Sequence, residues 1–132
     1  MIHSAEEFAR LRRSELPEEY ERAGADEAPL EVWLAVLETF PDLREWVALN
    51  KTVPMAILER LARDTDSKVR ATVASKRKLT AQLQILLAQD LDASVRERLA
   101  CNAKCSSEVR RQLANDPEPF VRAAALKRLQ SS

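Results

Sequence analysis

Apolar residues recur along the chain at helical spacing and are interrupted by short polar breaks. Ile57 and Leu61 lie four residues apart, and Val69 and Val73 repeat that spacing after a break. Such spacing places apolar side chains on one face of an α-helix. The break at residues 64–67 reads DTDS, and Asp and Ser are typical of the end of one helix and the cap of the next. The pattern therefore predicts a helix, a tight turn and a short second helix.

The same pattern is written three times at a spacing of 26 residues. Residues 61–70 read LARDTDSKVR, residues 87–96 read LAQDLDASVR, and residues 113–122 read LANDPEPFVR. A fixed period of this size is typical of helical repeats, in which each unit buries its apolar face against its neighbours. With a less regular first copy included, the predicted repeats are 28–52, 53–78, 79–104 and 105–130.

Residues 1–27 precede the repeats and are predicted to form a helical cap over the open end of the stack. Ser4 and Glu7 have the spacing of a capping box. Pro17 suits the start of a second helix, and Gly24 suits the residue just after its end. We expect four apolar side chains of this segment to cover Trp33, namely Phe8, Leu11, Leu16 and Tyr20.

The repeated phrase, L-A-x-D followed by V-R about five residues after the Asp, resembles the leucine-rich repeat variant family. This family is a short-period relative of HEAT-type helical repeats, and the resemblance spans residues 28–130. It implies an all-α protein, a right-handed α-solenoid of about four helix-pair repeats of 25–26 residues. The family's usual Asn-Pro is absent from the second turns. Because residues 1–50 lack cysteine, the iron–sulfur segment of some members is not implied.

An Asp and an Arg recur six residues apart in each of the three regular copies. Because the pair occurs once per copy, we favour a structural role over catalysis or anion binding. HEAT-type repeats use a similar pairing between neighbouring units, so the resemblance implies a ladder, for which the planar fork of arginine is well suited. The predicted ladder residues are Asp64, Arg70, Asp90, Arg96, Asp116 and Arg122.

The composition favours an all-helical protein of the cytoplasm. There is one glycine in 132 residues, and the best helix formers dominate. No apolar run approaches the roughly 20 residues that span a bilayer, and the N-terminus lacks the apolar stretch of a secretory signal. Two cysteines give no disulfide framework. We expect a cytoplasmic monomer that makes no contact with a membrane.

The chain offers little chemistry for catalysis or for metal binding. Cys101 and Cys105 are four residues apart, but two thiols need two further ligands, and the single histidine, His3, is remote in the sequence. There is no set of nucleophile and base, and no glycine-rich phosphate loop. We therefore predict a protein that is not an enzyme and binds neither metal nor cofactor.

Binding specificity is expected where the copies differ. The turn after each second helix carries Asn or basic residues, and the column of positions 46, 72 and 98 varies freely. A tryptophan beside basic residues could anchor a protein or stack on a base; alternatively, Trp46 packs on the N-terminal segment and the lysines are merely solvated. The candidate partner-binding residues are Trp46, Asn50, Lys51, Thr72, Lys76, Arg77, Lys78, Arg98, Asn102 and Lys104.

Charge separates two possible functions. The net charge is zero, but residues 1–50 hold 12 acidic and 5 basic side chains, whereas residues 51–132 hold 9 and 16. The leading prediction is a non-catalytic scaffold or adaptor that binds another protein through the exposed face of the solenoid. The alternative is a nucleic-acid-binding solenoid that uses the basic residues 51–132. The pattern does not specify the partner or the biological process.

Overall fold

The computed structural model of the chain describes residues 1–131, and helices are its only regular elements over that range. The predicted all-α class is confirmed. The chain divides into two compact units, Met1–Leu61 and Ala62–Ser132, each of which is described by itself. Within the range described, every helix is too short or too polar to cross a membrane.

The first unit contains five α-helices that are joined by short connections. A 3₁₀ turn, Pro41–Leu43, leads directly into the fourth helix. The five helices are α1 (Ala5–Arg13), α2 (Pro17–Ala25), α3 (Leu30–Thr39), α4 (Arg44–Leu49) and α5 (Met55–Leu61).

Helix α1 begins at the predicted capping box. The Ser4 hydroxyl accepts from the Glu7 N–H at 3.0 Å, which satisfies one of the free donors of the first turn. The Glu7 carboxylate accepts in return from the N–H of His3 at 2.8 Å, one residue before the position of the usual box. The predicted start of α2 is also confirmed, because Pro17 is its first residue.

The prediction that Gly24 ends α2 is wrong. The helix continues to Ala25, and the N–H of Asp26 still donates to the carbonyl of Arg22 at 2.9 Å. Gly24 does not have a positive φ, so no left-handed residue ends this helix. Its carbonyl instead accepts from the N–H of Lys51 at 2.8 Å, which ties the end of α4 to the end of α2.

Aromatic side chains form the centre of the first unit. Phe8 of α1 meets Trp33 of α3 edge to face, with ring centroids 5.3 Å apart, and both residues are fully buried. Leu11 is also fully buried. Leu16 and Tyr20 are 53% and 45% exposed, so they are not part of the buried centre, and their contact with Trp33 stays a prediction. Of the four predicted contacts with Trp33, that of Phe8 is confirmed.

The second unit arranges its helices in two rows. Helices α6 (Ser67–Ala74), α8 (Ala93–Cys101) and α10 (Pro119–Ser131) follow one another side by side, while α7 (Ala81–Ala88) packs against α9 (Ser107–Leu113). Corresponding positions of the repeated phrase are buried together. The core of this unit therefore draws on Val69, Val95 and Val121, on Val73, Leu99 and Ala125, and on Leu87 and Leu113.

Candidate functional site

The repeated arginines of the second unit are held by carboxylates of the next copy. Arg70 donates through Nε to Asp90 at 2.8 Å and through Nη2 at 3.1 Å. Arg96 makes the same two contacts with Asp116, at 2.7 and 3.2 Å. Each Nη1 donates to a turn carbonyl six residues earlier, that of Asp64 or of Asp90. The guanidinium thus joins the turn of its own copy to the turn of the next one.

The charges of these pairs stabilise each other. Hydrogen bonds to Asp90 raise the pKa of Arg70, and hydrogen bonds to Asp116 raise the pKa of Arg96. Burial alone would raise the pKa of Asp116. The hydrogen bonds from Arg96 and from the backbone of Glu118 outweigh that effect and lower it. Both pairs are therefore structural contacts that join one copy to the next.

The aspartates of the repeated turn have two separate tasks. Asp90 accepts from the N–H of Asp92 at 2.9 Å and so shapes the turn. Asp92 then accepts from the N–H of Ser94 at 2.8 Å and caps α8. Asp64 and Asp66 make the same contacts ahead of α6. In these two turns the first Asp thus belongs to the turn, and the second is the helix cap.

Three of the candidate partner-binding residues are buried, so the prediction that they lie on an exposed surface is wrong. Thr72 is 3% exposed and donates from its hydroxyl to the carbonyl of Lys68. Asn50 is 0% exposed, and Asn102 is 8% exposed. The sequence places both asparagines in turns, which normally face solvent, but their amide groups are needed inside the structure. Thr72 and Asn50 therefore lie inside the structure, whereas Asn102, although mostly buried, also lines a cavity of the second unit.

The two asparagines do the same work in the two units. The Asn50 amide donates to the carbonyls of Ala23 and Asp26, at 2.9 and 3.1 Å. The Asn102 amide donates to the carbonyls of Ala74 and Lys76, at 2.8 and 2.7 Å. Each amide satisfies the free carbonyls at or just beyond the end of an earlier helix. Asn50 and Asn102 therefore each link the turn that contains them to the end of an earlier helix.

Two predicted basic residues come together at a concave surface of the second unit. Arg77 and Arg98 line a cavity of about 230 Å³ with Ser75, Cys101, Asn102 and Ala103. We call this the Arg77 cavity; none of the residues that the structure places around it carries a carboxylate. Lys76, the residue before Arg77, is half-buried. Its burial, and to a smaller extent the charge of Lys78, lowers the pKa of its ammonium group. The remaining predicted lysines, Lys51, Lys78 and Lys104, are exposed.

Trp46 lies at a second concavity, in the first unit. The guanidinium carbon of Arg12 lies 3.4 Å from the centre of the Trp46 ring and 4.8 Å from that of the Tyr20 ring. Such stacking of a guanidinium on aromatic faces is favourable. The surrounding cavity, of about 140 Å³, is called the Trp46 cavity, and its lining residues are Arg12, Tyr20, Ala23, Gly24, Trp46 and Leu49.

The Trp46 cavity combines both of the alternatives considered for Trp46. The ring is half-buried on the N-terminal segment, and it also forms part of an open surface on which Tyr20 and Leu49 are exposed. Arg12 and Tyr20 were not predicted as site residues. They are remote from Trp46 in the sequence, so no spacing rule connects them; the only signal was that arginine and aromatic residues are the types that recur at binding surfaces.

The two cysteines differ in exposure and in surroundings. Cys105 is buried, and that burial raises the pKa of its thiol despite the opposing charge of Arg110. Cys101 is exposed at the rim of the Arg77 cavity. Over the part of the chain that the structure describes, no group of three His, Cys, Asp or Glu side chains could hold a metal ion.

No protein-family model, curated protein or solved structure matches this chain. The resemblance to the leucine-rich repeat variant family stays a prediction.

Proposed function

We propose that this protein is a non-catalytic protein-binding domain, a scaffold or adaptor that engages its partner through the Trp46 cavity. The single observation that carries the proposal is the composition of that cavity. Trp, Tyr and Arg are the residues that dominate the energetics of protein interfaces, and all three line one small concave surface. A partner would insert an apolar side chain against Leu49 and Tyr20.

Site-specific photo-crosslinking tests this proposal. A photoreactive residue replaces Leu49 at the cavity or, as the control, Leu91, which is 99% exposed in the other unit. In a cell extract the Leu49 variant should give discrete, nuclease-resistant adducts with protein, and these should disappear when Trp46→Ala or Tyr20→Ala is added. Circular dichroism checks that each variant stays helical. Adducts that are equal at Leu91, or that persist in both variants, would contradict the proposal.

The alternative, nucleic-acid binding, is favoured by one observation, the Arg77 cavity. Two arginines line it without a carboxylate, and the unit that contains it holds 14 basic and 8 acidic residues. Arginines in such a groove would contact phosphates, and binding would weaken steeply with salt. Arg77→Glu with Arg98→Glu should then abolish binding of a DNA duplex or an RNA oligomer at low salt, while Lys68→Glu, outside the cavity, should reduce it slightly.

For the architecture we propose a right-handed α-solenoid of four repeats within residues 28–130, with residues 1–27 as an N-terminal cap. The support is the fixed 26-residue period and the repeated Arg–Asp contact between successive copies. The repeated phrase is the reason to propose the leucine-rich repeat variant family, and the right-handedness is what that resemblance implies. We further propose a cytoplasmic monomer. Sedimentation equilibrium at several concentrations tests the monomer, and a mass that rises with concentration would contradict it.

A further inference from the structure

In the Ala62–Ser132 unit, helices α6, α8 and α10 are the second helices of successive copies. One face of α6 and of α8 contacts the next helix of this series. On α6 this face carries Arg70 and Ala74, and α8 packs on it. On α8 it carries Arg96 and Ala100, and α10 packs on it. Both alanines are 0% exposed, and both arginines donate to a carboxylate of the incoming copy. An apolar residue and an arginine four positions before it thus mark a helix-binding face.

The same face of α10 is uncovered. Leu126, at the position of Ala74 and Ala100, is 45% exposed. Arg122 donates through Nη1 to the carbonyls of Asp116 and Pro117, at 2.8 and 3.1 Å. Arg96 makes the first of these contacts with the corresponding carbonyl, so both guanidinium groups are anchored by a turn. Among the residues that the structure describes, no carboxylate meets the rest of the Arg122 fork.

We propose that this face of α10 binds a helix of another protein that carries an Asp or Glu in the turn just before it. The occupants within this chain define that chemistry. Asp90 precedes the first residue of α8 by three positions, and Asp116 precedes that of α10 by three. In each case the carboxylate meets the arginine fork while the helix covers the small residue. Charge complementarity with Arg122 would orient a new helix, and Leu126, which is larger than the two alanines, would meet it through an apolar contact.

A second copy of this chain fits this description less well. Two of its three corresponding carboxylates, Asp90 and Asp116, already accept two hydrogen bonds each from their own arginines. Releasing either would leave a largely buried arginine without its ionic partner, which is costly. We therefore take a helix of a different protein as the occupant; no residue of the Trp46 cavity belongs to this surface.

Peptide binding to the full chain tests the proposal. The probe is a fluorescein-labelled peptide of residues 113–131, because the same segment covers α8 in the intact protein. We expect saturable binding, measured by fluorescence anisotropy, that is weakened at least about tenfold by Arg122→Ala in the protein or by Asp116→Asn in the peptide. Arg128→Ala, which changes an exposed residue on the opposite side of α10, should leave binding unchanged.

The peptide variant keeps the test independent of any folding defect in the protein. Absence of binding to the unaltered chain, or equal affinity of the Asp116→Asn peptide, would overturn the proposal. Sedimentation of the chain alone supplies a further outcome. Self-association that is lost on Leu126→Asp would assign this face to a second copy and would also overturn it.

Discussion

The two units hold their helices together by different means. Five of the six aromatic residues of the chain lie in the first unit, where the Phe8–Trp33 contact forms the centre. The second unit has one aromatic residue, the exposed Phe120, and repeats a hydrogen-bonded contact between arginine and aspartate. Large side chains fill an irregular space once, whereas a polar fork of fixed geometry can be copied at every repeat. Because the arginine–aspartate contact recurs in successive copies, the period of the sequence reveals it.

The largest expected effect is the loss of Trp33. Replacing this fully buried ring by alanine should lower the free energy of unfolding by about 4 kcal/mol, because it leaves a cavity beside Phe8. Urea unfolding followed by circular dichroism measures the loss. Trp33→Phe is the control, since Nε1 of Trp33 has no hydrogen-bond partner that a phenyl ring would lose. Equal losses in the two variants would show that aromatic filling does not hold the first unit together.

The two buried asparagines should matter equally, although the units differ elsewhere. Asn50→Ala and Asn102→Ala should each cost about 2 kcal/mol, because each leaves two helix-end carbonyls without their donor. Asn115→Ala, at an exposed turn, should cost less than about 0.5 kcal/mol. Thermal unfolding of the three variants provides the comparison. A loss confined to one unit would break the parallel between them.

A smaller effect is expected at the helix caps, which both units use in the same way. Ser4→Ala and Ser106→Ala each remove the acceptor of a first-turn N–H and should cost about 1 kcal/mol. Hydrogen exchange of the Glu7 and Val109 amides should accelerate in the respective variants. Ser107→Ala, one residue inside α9, is the control, and an equal effect there would show that the loss is not due to capping.

The sequence predicted the second unit better than the first. The repeated phrase located the turn, the cap and the core valines, because each depends on residues close in the chain or one period away. Glycine is typical of the residue just after a helix, but α2 continues past Gly24 to Ala25, so the prediction from Gly24 was wrong. The stacking of Arg12 on Trp46 depends on three helices meeting, and no local pattern encodes that meeting.

The candidate site was predicted only in part for the same reason. Arg77 and Arg98 were identified because they vary between copies and are basic, and the structure places both at one cavity. Asn50 and Asn102 were assigned to the surface because both lie in turns after second helices, and turns normally face solvent; their shared buried role was not predicted. The residue types indicated where polar side chains lie. They did not indicate which backbone carbonyl accepts a hydrogen bond from each asparagine amide.

The central claim is that arginine–aspartate forks couple successive copies of the repeat, and a double-mutant cycle on Arg96 and Asp116 tests it most directly. The free energy of unfolding is measured by urea titration for Arg96→Ala, Asp116→Ala and the double variant. Each single change should cost about 3 kcal/mol, because it leaves the other charge largely buried without its ionic partner. We predict a coupling free energy of about 2 kcal/mol between the two side chains. Additive losses, with a coupling near zero, would contradict the claim.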